Sequence, residues 1–354
     1  MSKVLTIIIP AYNMEKHLER CLSSLLVDEG LMKLLEVLVI NDGSTDNSSV
    51  IAHVFERRFP DIIRVIDKEN GHYGSCINRG LEEARGTYIK VLDADDAFDT
   101  NVFGEYLSFL KDSTVNDCDL ALSGYVEVDD SGNPVIDHPF SQYDGLTTIR
   151  DVSEQDIFEW FIHALTYKTS LLRDIHYRQT EKISYTDLEW AFVPMSAVKR
   201  IRKFPGNLYL YSTGLAGQSM APSNHAKNLG MEAQVISKLL VFFDTAKPSL
   251  ASDNFSFLKK RLVILINHLY QLYLLTYRSL NPDLKALLDF DRLLRETDAD
   301  LYKETDTYVT TIAKLRFKPI HNWRYQRTGL VFLQSSLYSI TDRFSSIFSR
   351  FKAS

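Results

Sequence analysis

The stretch from Tyr88 to Asp96 reads YIKVLDADD, so an apolar segment ends in three closely spaced carboxylates. Ionised carboxylates at this spacing repel one another, and withdrawing each from water costs several kcal/mol. A positive group is therefore expected beside them. In an extended segment, Asp93 and Asp95 would leave the backbone on one side and Asp96 on the other. Two such oxygen ligands suit Mg²⁺ or Mn²⁺, which would complete its shell with water and phosphate oxygens.

Helix capping is the competing explanation of these acids. Asp96 or Asp99 could begin a predicted helix that runs from Val102 to Leu110, by accepting hydrogen bonds from its first amides. We favour capping for Asp96 and Asp99. One cap does not require three acids, so Asp93 and Asp95 are the predicted metal ligands.

Polar loops also follow the other predicted strands of the N-terminal region. In parallel sheets, ligands bind beyond the carboxyl ends of the strands. Four polar loops should therefore meet at one sheet edge: PAYN at 10–13, NDGSTD at 41–46, ENGHYG at 69–74 and DADD at 93–96. Ordinary alternatives remain, since a β-turn and a helix cap explain Gly43 to Asp46, and Tyr12 could simply pack. Asn70, Gly71 and Gly74 form a flexible loop before a helix, whose amides could receive an anion.

The elements that would position these loops follow from hydrophobic periodicity. Over the first 125 residues, short apolar runs alternate with helical spacing, which predicts βαβ units and a parallel sheet. The predicted strands are Leu5 to Ile9, Leu35 to Ile40, Ile62 to Ile66, Tyr88 to Leu92 and Leu120 to Ser123. One apolar helix face comprises Leu18, Cys21, Leu22 and Leu25, and a second comprises Tyr73, Ile77, Leu81 and Ala84. Gly86 is predicted to end the second helix in a left-handed conformation.

The remaining chain is predicted to be mixed and then helical. Short strands are expected at Tyr125 to Val128 and Leu208 to Tyr211, with a helix from Val152 to Ala164 between them. A loop rich in Gly, Ser, Pro and Asn covers residues 212–228. Helices are then expected at Leu229 to Phe243, Phe255 to Tyr277 and Pro282 to Glu296. We therefore predict an α/β domain over 1–220 and a mainly helical region over 221–354.

Bulk properties exclude several classes. The chain has 354 residues and a formal net charge of -6, and its pI is near 5.9, which argues against a dedicated nucleic-acid binder. Its three cysteines are far apart, so they suggest no zinc site or disulfide scaffold. We find no signal peptide or membrane-spanning run and expect a cytoplasmic protein. The sequence has no Gly-x-x-x-x-Gly-Lys-Ser/Thr loop and no Gly-x-Gly-x-x-Gly after its first strand, which disfavours ATP hydrolysis and dinucleotide redox chemistry.

Three motifs in order carry a family resemblance. TIIIPAYNMEKHLERCLSSL, VLVINDGSTDNS and ENGHYGSCINRGLEEARGTYIKVLDADD resemble the family 2 glycosyltransferases of the GT-A fold, over roughly residues 4 to 220. The resemblance implies a Rossmann-like, mostly parallel sheet with flanking helices. It also implies nucleotide-sugar binding over about 1–125 and an acceptor part over about 126–220. The chain departs from the pattern at His72, where a subgroup has glycine, and at Ile77, where many relatives have arginine.

The resemblance also implies roles for individual residues. Pro10, Ala11, Tyr12 and Asp42 would line the base pocket, with Tyr12 against the ring and Asp42 accepting from an imide N–H, which suits uracil. Asp93 would face the ribose or the metal, and Asp95 would hold Mn²⁺ or Mg²⁺ on the diphosphate. The predicted substrate-binding set is completed by Asn70, Gly71, Asn78 and Ala94.

An acceptor hydroxyl needs a general base, because its own pKa is far too high for ionisation at neutral pH. In ISYTDLEW the resemblance assigns this role to Asp187, with Thr186 replacing the usual glutamate and Glu189 in reserve. The alternative is that Asp187 merely begins a helix. A base in line behind the anomeric carbon implies one displacement with inversion. The segment GLAGQSM at 214–220 resembles a loop that closes over the diphosphate, although a plain connection is equally compatible.

We therefore expect an inverting, metal-dependent glycosyltransferase that moves a hexose or N-acetylhexosamine from a UDP-sugar to a hydroxyl of a glycan or lipid-linked glycan. Synthesis of a bacterial surface polysaccharide is an expectation from the family. The alternative is a catalytically silent partner that binds nucleotide-sugar or membrane. A sugar-phosphate nucleotidyltransferase would require a glycine-rich loop with a basic residue after the first strand. PAYNMEKH contains no such loop, which argues against that class.

The C-terminal segment from Lys314 to Lys352 is basic and aromatic. It has one acid, Asp342, against eight Lys and Arg residues, with Phe, Trp and Tyr interleaved. This combination is typical of segments that lie on anionic lipid, so we predict peripheral contact with the inner face of a membrane. Packing of the aromatics on the catalytic domain or on a second subunit is the alternative.

Overall fold

The computed structural model describes residues 2–112, 118–140, 145–151, 160–213, 221–312, 314–327, 329–331 and 333–339. The chain forms two compact units. One comprises Met1–Leu215 with Leu250–Phe257, and the other comprises Ala216–Ser249 with Leu258–Ser354. The domain boundary expected at residue 220 remains a prediction, because residues 214–220 lie outside the described part of the chain.

The first unit begins with alternating strands and helices. The parallel strands are β1 (Leu5–Ala11), β2 (Leu35–Asn41), β3 (Ile63–Asp67) and β4 (Tyr88–Val91). The helices between them are α1 (Leu18–Ser23), α2 (Glu29–Met32), α3 (Ser48–Arg58) and α4 (His72–Glu83). The predicted parallel βαβ arrangement is confirmed for this half of the sheet.

The second half of the sheet is mixed. Its strands are β5 (Ala97–Phe98), β6 (Leu120–Val128), β7 (Pro134–His138), β8 (Leu165–Lys168) and β9 (Ile201–Ser212). The order is β3-β2-β1-β4-β8-β6-β9-β5, with β7 paired to β6. Strand β8 runs antiparallel to both β4 and β6, so the predicted strand at Leu120 does not continue the parallel row. The α/β class with flanking helices is confirmed, but parallel pairing is confined to β1–β4 and to β6 with β9.

Burial explains why these segments form strands. All seven residues of β1 and all seven of β2 are buried. A strand covered on both faces reads as a nearly continuous apolar run, as LTIIIPA and LEVLVIN do apart from Thr6, Glu36 and Asn41. The predicted apolar face of α1 is buried in the same core. Helix α5 (Thr100–Lys111) adds Phe103, Tyr106, Leu107 and Leu110 to the buried set.

The prediction for Gly86 is wrong. Helix α4 ends at Glu83 with an extended residue, Ala84, as its C-cap, and Gly86 is absent from the residues with positive φ. A Cβ atom on Gly86 would lie 2.4 Å from the backbone nitrogen of Thr6. Glycine is required here because two backbones approach closely, not because a helix ends there.

Short helices complete the first unit. They are the 3-10 turn Ile162–Ala164, α6 (Thr169–Asp174), α7 (Asp187–Phe192) and the 3-10 turn Val193–Ser196. The predicted helix from Val152 falls mostly on 152–159, outside the described residues, and its end at Ile162–Ala164 is a 3-10 turn.

The second unit is mainly helical, as predicted. Its elements are α8 (Pro222–Ala246), most of α9 (Ser252–Gln271), a π turn (Leu272–Thr276), α10 (Lys285–Thr297), α11 (Ala299–Asp306), the β10–β11 hairpin (Thr310–Ile312 and Leu315–Phe317) and α12 (Pro319–Arg324). The predicted loop over 212–228 is wrong from Pro222 onward, since a proline is well accommodated in the first turn of a helix. Within the described residues, no helix is long and apolar enough to cross a membrane.

Candidate active site

The acids after β4 lie in a turn, not in an extended segment. Strand β4 ends at Val91, and the Asp96 amide donates to the Asp93 carbonyl at 3.0 Å. Strand alternation therefore does not apply, and the prediction that Asp96 points away from Asp93 is wrong. One side-chain ligand atom from each of Asp93, Asp96 and His163 lies within 4.8 Å of the other two.

Asp96 connects the turn to β9. It is 1% exposed, and its carboxylate accepts from the Tyr209 hydroxyl and from the Ser212 amide, both at 2.7 Å. Burial and then the charge of Asp95 raise the pKa of Asp96 well above its usual range. The predicted capping role of Asp96 is wrong. Asp99 is the N-cap of α5, and its carboxylate accepts from the amides of Asn101 and Val102.

Asp93 is partly buried and lies near other carboxylates. Its Oδ1 accepts from the Tyr73 hydroxyl at 2.8 Å. Burial, then the charge of Asp95 and last that of Asp187 raise the pKa of Asp93 to about 7, although the Tyr73 hydrogen bond lowers it. In the described part of the chain, no Lys or Arg forms an ion pair with Asp93 or Asp96. The carboxylates and their uncompensated charge fit a hard divalent cation.

The backbone of the acidic turn is held by an arginine that sequence reasoning missed. Arg20 on α1 donates to the Asp95 carbonyl at 2.7 Å and also to the Ser212 hydroxyl. The Ser212 hydroxyl donates to the same carbonyl at 2.9 Å. Ala94, between the acids, is 2% exposed. Arg20 therefore acts on the backbone of the turn through these two hydrogen bonds.

His163 lies beside the acids and Lys90 lies beside His163, and neither was predicted. The His163 ring packs 4.7 Å from the Tyr209 ring and 4.4 Å from the Tyr211 ring, and its buried Nδ1 has no hydrogen-bond partner among the described residues. Burial, with Lys90 and His138, lowers the pKa of His163 to about 3. Lys90 is fully buried and donates to the His163 carbonyl at 2.7 Å. A lysine inside the apolar run YIKVL was the available signal.

Asp42, after β2, has a cation of the chain at its carboxylate. It is 3% exposed, its Oδ1 accepts from the Gly71 amide at 2.9 Å, and Lys68 pairs with the same oxygen. Asn70 donates its side-chain amide to the Asp42 carbonyl at 3.0 Å. The loops after β2 and β3 are therefore joined around Asp42. Lys68, directly before ENGHYG, was missed.

The residues predicted for the base pocket lie next to the loops that meet at Asp42. Pro10 and Ala11 are buried at the end of β1, and the Asp42 amide donates to the Ala11 carbonyl at 2.9 Å. Tyr12 follows with 48% of its surface exposed. Its ring is thus available to a planar ligand beside Asp42.

Helix α4 begins with an unusual residue. His72 has a φ of 66°, a left-handed conformation that glycine adopts at least cost. His72, where the family pattern has glycine in a subgroup, thus occupies a conformation that suits glycine. Further along α4, Asn78 is 4% exposed and directs its side chain to Gln179.

Asp187 is the first residue of α7. Its charge raises the pKa of both Tyr73 and Asp93, so it belongs to the same electrostatic neighbourhood. The carboxylate of Glu189, the reserve base, accepts from the Thr180 amide at 2.7 Å and from the Thr180 hydroxyl at 2.6 Å. The Glu189 carboxylate is thus already hydrogen-bonded to Thr180, and Asp187 remains the predicted base.

Comparisons with known proteins identify related sequences and structures. The chain matches the model of Glycosyl transferase family 2 over residues 6–173. It is 25% identical to the uncharacterized glycosyltransferase EpsJ of Bacillus subtilis over 249 residues, which cover 68% of this chain and 70% of EpsJ. It is 28% identical to the minor teichoic acid biosynthesis protein GgaB of Bacillus subtilis over 185 residues, or 50% of this chain, but spans only 19% of GgaB.

Two solved structures share the fold. Staphylococcus aureus TarS 1-349 with UDP-GlcNAc matches with a TM-score of 0.53 and 18% identity, over 88% of this chain and 95% of that one. The mannosyltransferase PcManGT from Pyrobaculum calidifontis, with GDP-Man and Mn²⁺, matches with a TM-score of 0.54 and 14% identity, over 96% of this chain and 85% of that one. The family match and the shared fold confirm the predicted resemblance, and residues 6–173 form a glycosyltransferase family 2 domain.

Proposed function

We propose that the protein transfers a hexose or N-acetylhexosamine from a UDP-sugar to a hydroxyl of a glycan or lipid-linked glycan, with inversion and with a divalent metal. The observation that carries the proposal is Asp93. Its carboxylate lies at a strand end near the charge of Asp187, and burial raises its pKa without a Lys or Arg ion pair among the described residues. The teichoic acid relative supports an acceptor in a bacterial surface polymer.

Asp93 and Asp95 are the proposed ligands of Mn²⁺ or Mg²⁺, and His163 offers a neutral nitrogen nearby. When bound, the ion would neutralise the donor diphosphate and the charge that grows on it as the sugar departs. The neighbour with bound Mn²⁺ supports a divalent metal. The residues of this chain contribute a hydrogen-bonded carboxylate, fixed by Tyr73, and a turn held in place by Arg20 and Tyr209.

The base pocket of the donor is proposed to lie at Pro10, Ala11, Tyr12 and Asp42. Asp42 would accept the imide N–H of uracil while Lys68 and the Gly71 amide fix its carboxylate. Asn70, Gly71 and Ala94 remain predicted donor-binding residues. Asn78 was predicted with them, but both polar atoms of its side chain bind the backbone of Gln179. The neighbours hold UDP-GlcNAc and GDP-Man, so a nucleotide-sugar donor is supported and the choice of uracil rests on Asp42.

Asp187 is the proposed general base. It would take the proton of the acceptor hydroxyl as that oxygen attacks the anomeric carbon. The bond from this carbon to the diphosphate breaks with its electron pair leaving on the diphosphate, so a single displacement inverts the configuration. This single displacement requires no covalent intermediate on the protein.

Release of UDP from each common UDP-sugar, with Mn²⁺ and then with excess EDTA, tests the proposal. We expect release that EDTA abolishes and that Asp187→Asn lowers by about 100- to 1,000-fold. Release that ignores EDTA would contradict the metal role, and an Asp187→Asn variant as fast as the wild type would contradict the base. Binding of UDP without any turnover would favour the alternative of a catalytically silent partner.

The C-terminal segment is the proposed membrane contact, at the cytoplasmic face. Among its described residues, Lys314, Leu315, Arg316 and Lys318 are exposed around the β10–β11 hairpin, and Tyr325 is 63% exposed. Leucine and tyrosine side chains with cations suit anionic lipid. Flotation with vesicles containing phosphatidylglycerol should recover the wild type, and a Leu315→Ser, Arg316→Ser variant should float less. Equal recovery of both would contradict the contact. Phe344, Phe348 and Phe351 of the same segment lie outside the described residues.

A further inference from the structure

Helix α4 contacts both ends of the candidate reaction centre. At its start, the Tyr73 hydroxyl donates to Asp93 at 2.8 Å. One and a half turns later, Asn78 makes a two-way contact with the backbone of Gln179: its Nδ2 donates to the Gln179 carbonyl at 2.9 Å, and its Oδ1 accepts from the Gln179 amide at 2.8 Å. Because an α-helix is a rigid rod, these two contacts are held at a fixed spacing.

The segment that leads from Gln179 to Asp187 is held by side chains. The Gln179 side chain donates to the carbonyl of Thr186, the residue directly before Asp187. The Lys182 amide donates to the Gly71 carbonyl at 3.0 Å, at the start of α4. This is also the segment in which Glu189 accepts from Thr180. The backbone next to the proposed base is thus connected to α4 through Gln179.

The same segment has backbone strain that needs external support. Lys182 and Tyr185 have φ values of 63° and 66°, in the left-handed region that side-chain-bearing residues rarely adopt. Such conformations cost about 1–3 kcal/mol each and persist where surrounding contacts hold them. Contacts to α4 supply that support here.

The helix and the segment are also in direct backbone contact. A Cβ atom on Gly74 would lie 2.0 Å from the Thr180 carbonyl oxygen. No side chain fits between them at this point. The position of the segment is therefore set by α4 itself and by Asn78, whose amide also donates to Glu181 at 2.9 Å.

We propose that Asn78 is a positioning residue that fixes Asp187 relative to Asp93, acting through Gln179 and Thr186. The inference rests on the proposed role of Asp187 as base. It gives Asn78 a different task from a donor contact, since both polar atoms of its side chain are engaged by the protein. Removing Asn78 should then slow turnover and leave donor binding unchanged.

Asn78→Ala and a matched control test this. Asn254 is 5% exposed and its side-chain amide donates to the carbonyls of Met195 and Val198, both at 2.7 Å, so Asn254→Ala removes a similar set of bonds elsewhere. Hydrogen exchange of the ligand-free proteins should be about 10-fold faster over residues 177–189 in Asn78→Ala and unchanged there in Asn254→Ala. With UDP-GlcNAc and Mn²⁺ as probes, kcat for UDP release should fall about 10- to 100-fold in Asn78→Ala, with KM and the Kd of UDP within about twofold.

A double-mutant cycle separates positioning from general destabilisation. If Asn78 acts through Asp187, Asn78→Ala should have little further effect in an Asp187→Asn background, because the effects of residues coupled through one hydrogen-bond network are not additive. A rise in the Kd of UDP with kcat unchanged would overturn the positioning role and support donor binding. An unchanged exchange rate over 177–189 would overturn it as well. If Asp187→Asn alone left UDP release unaltered, Asp187 would not be the general base. That result differs from the two outcomes above, which concern Asn78.

Discussion

Asp42 and Asp93 follow neighbouring parts of the same sheet, yet their surroundings differ in one respect. Asp42 pairs with Lys68 and accepts from the Gly71 amide. Asp93 accepts from a tyrosine hydroxyl, lies near Asp95 and Asp96, and has a pKa raised to about 7. The difference indicates two uses of a carboxylate. The Asp42 carboxylate is already paired with a cation of the chain, whereas the Asp93 carboxylate, which forms no ion pair with a described Lys or Arg, can accept an external cation.

Asp93→Asn should produce the largest effect and the clearest contrast. Loss of one carboxylate ligand should lower UDP release by about 10³-fold. Because the folded pKa of Asp93 lies above its unfolded value, this group favours folding at low pH and loses that contribution as pH rises through about 7. The metal-free variant should therefore be more stable than the wild type at pH 8, measured by urea unfolding in EDTA. A variant that is both active and less stable would contradict the assignment.

Asp42→Asn should change stability in the opposite direction. Removing the charge leaves Lys68, whose side chain is 22% exposed, without its counter-ion. We expect a loss of about 1–2 kcal/mol in the free energy of unfolding, discounted for the exposure of Lys68. In the Asp42→Asn, Lys68→Met double variant the loss should be smaller than the sum of the two single losses. Additive losses would mean that the pair does not act as a unit.

The contrast could be predicted from the sequence only in part. The apolar runs of β1 and β2 and the acids after β4 predicted the strand ends, and the polar residues after each apolar run predicted the loops. The direction of the Asp96 side chain could not be predicted, because it depends on where β4 ends. The strand ends one residue earlier than expected, so the acids lie in a turn and strand alternation no longer sets their directions. Lys68, Arg20 and His163 were missed because each reaches the site through tertiary contacts, and Tyr209 comes from β9, more than 100 residues away.

Lys90→Met tests whether a buried cation compensates the Asp93 cluster after all. Burial lowers the pKa of Lys90 to about 7, below its unfolded value, so its contribution to stability is present above the unfolded pKa and is lost as pH falls through about 7. Between pH 7.5 and 9.5 the wild type should gain up to about 1.4 kcal/mol per pH unit relative to Lys90→Met in urea unfolding. If the stabilities of the wild type and Lys90→Met changed in parallel with pH, Lys90 would be charged in the folded protein. The contrast between Asp42, which pairs with Lys68, and Asp93 would then be lost.

Asp99→Ala should have the smallest effect on stability and UDP release. It tests whether Asp99 belongs with the acids of the reaction centre. Asp99 lies three residues after Asp96 but caps α5, accepting from Asn101 and Val102 at 3.0 and 3.3 Å. Loss of such a cap costs about 1 kcal/mol, so the melting temperature should fall slightly, UDP release should stay within about twofold of the wild type, and Asp99→Asn should retain the stability. A fall in UDP release comparable to that of Asp93→Asn would place Asp99 in the reaction centre. Asp93 and Asp99 would then both act in the reaction. The distinction between a metal ligand and a helix cap, which the turn geometry supports, would no longer hold.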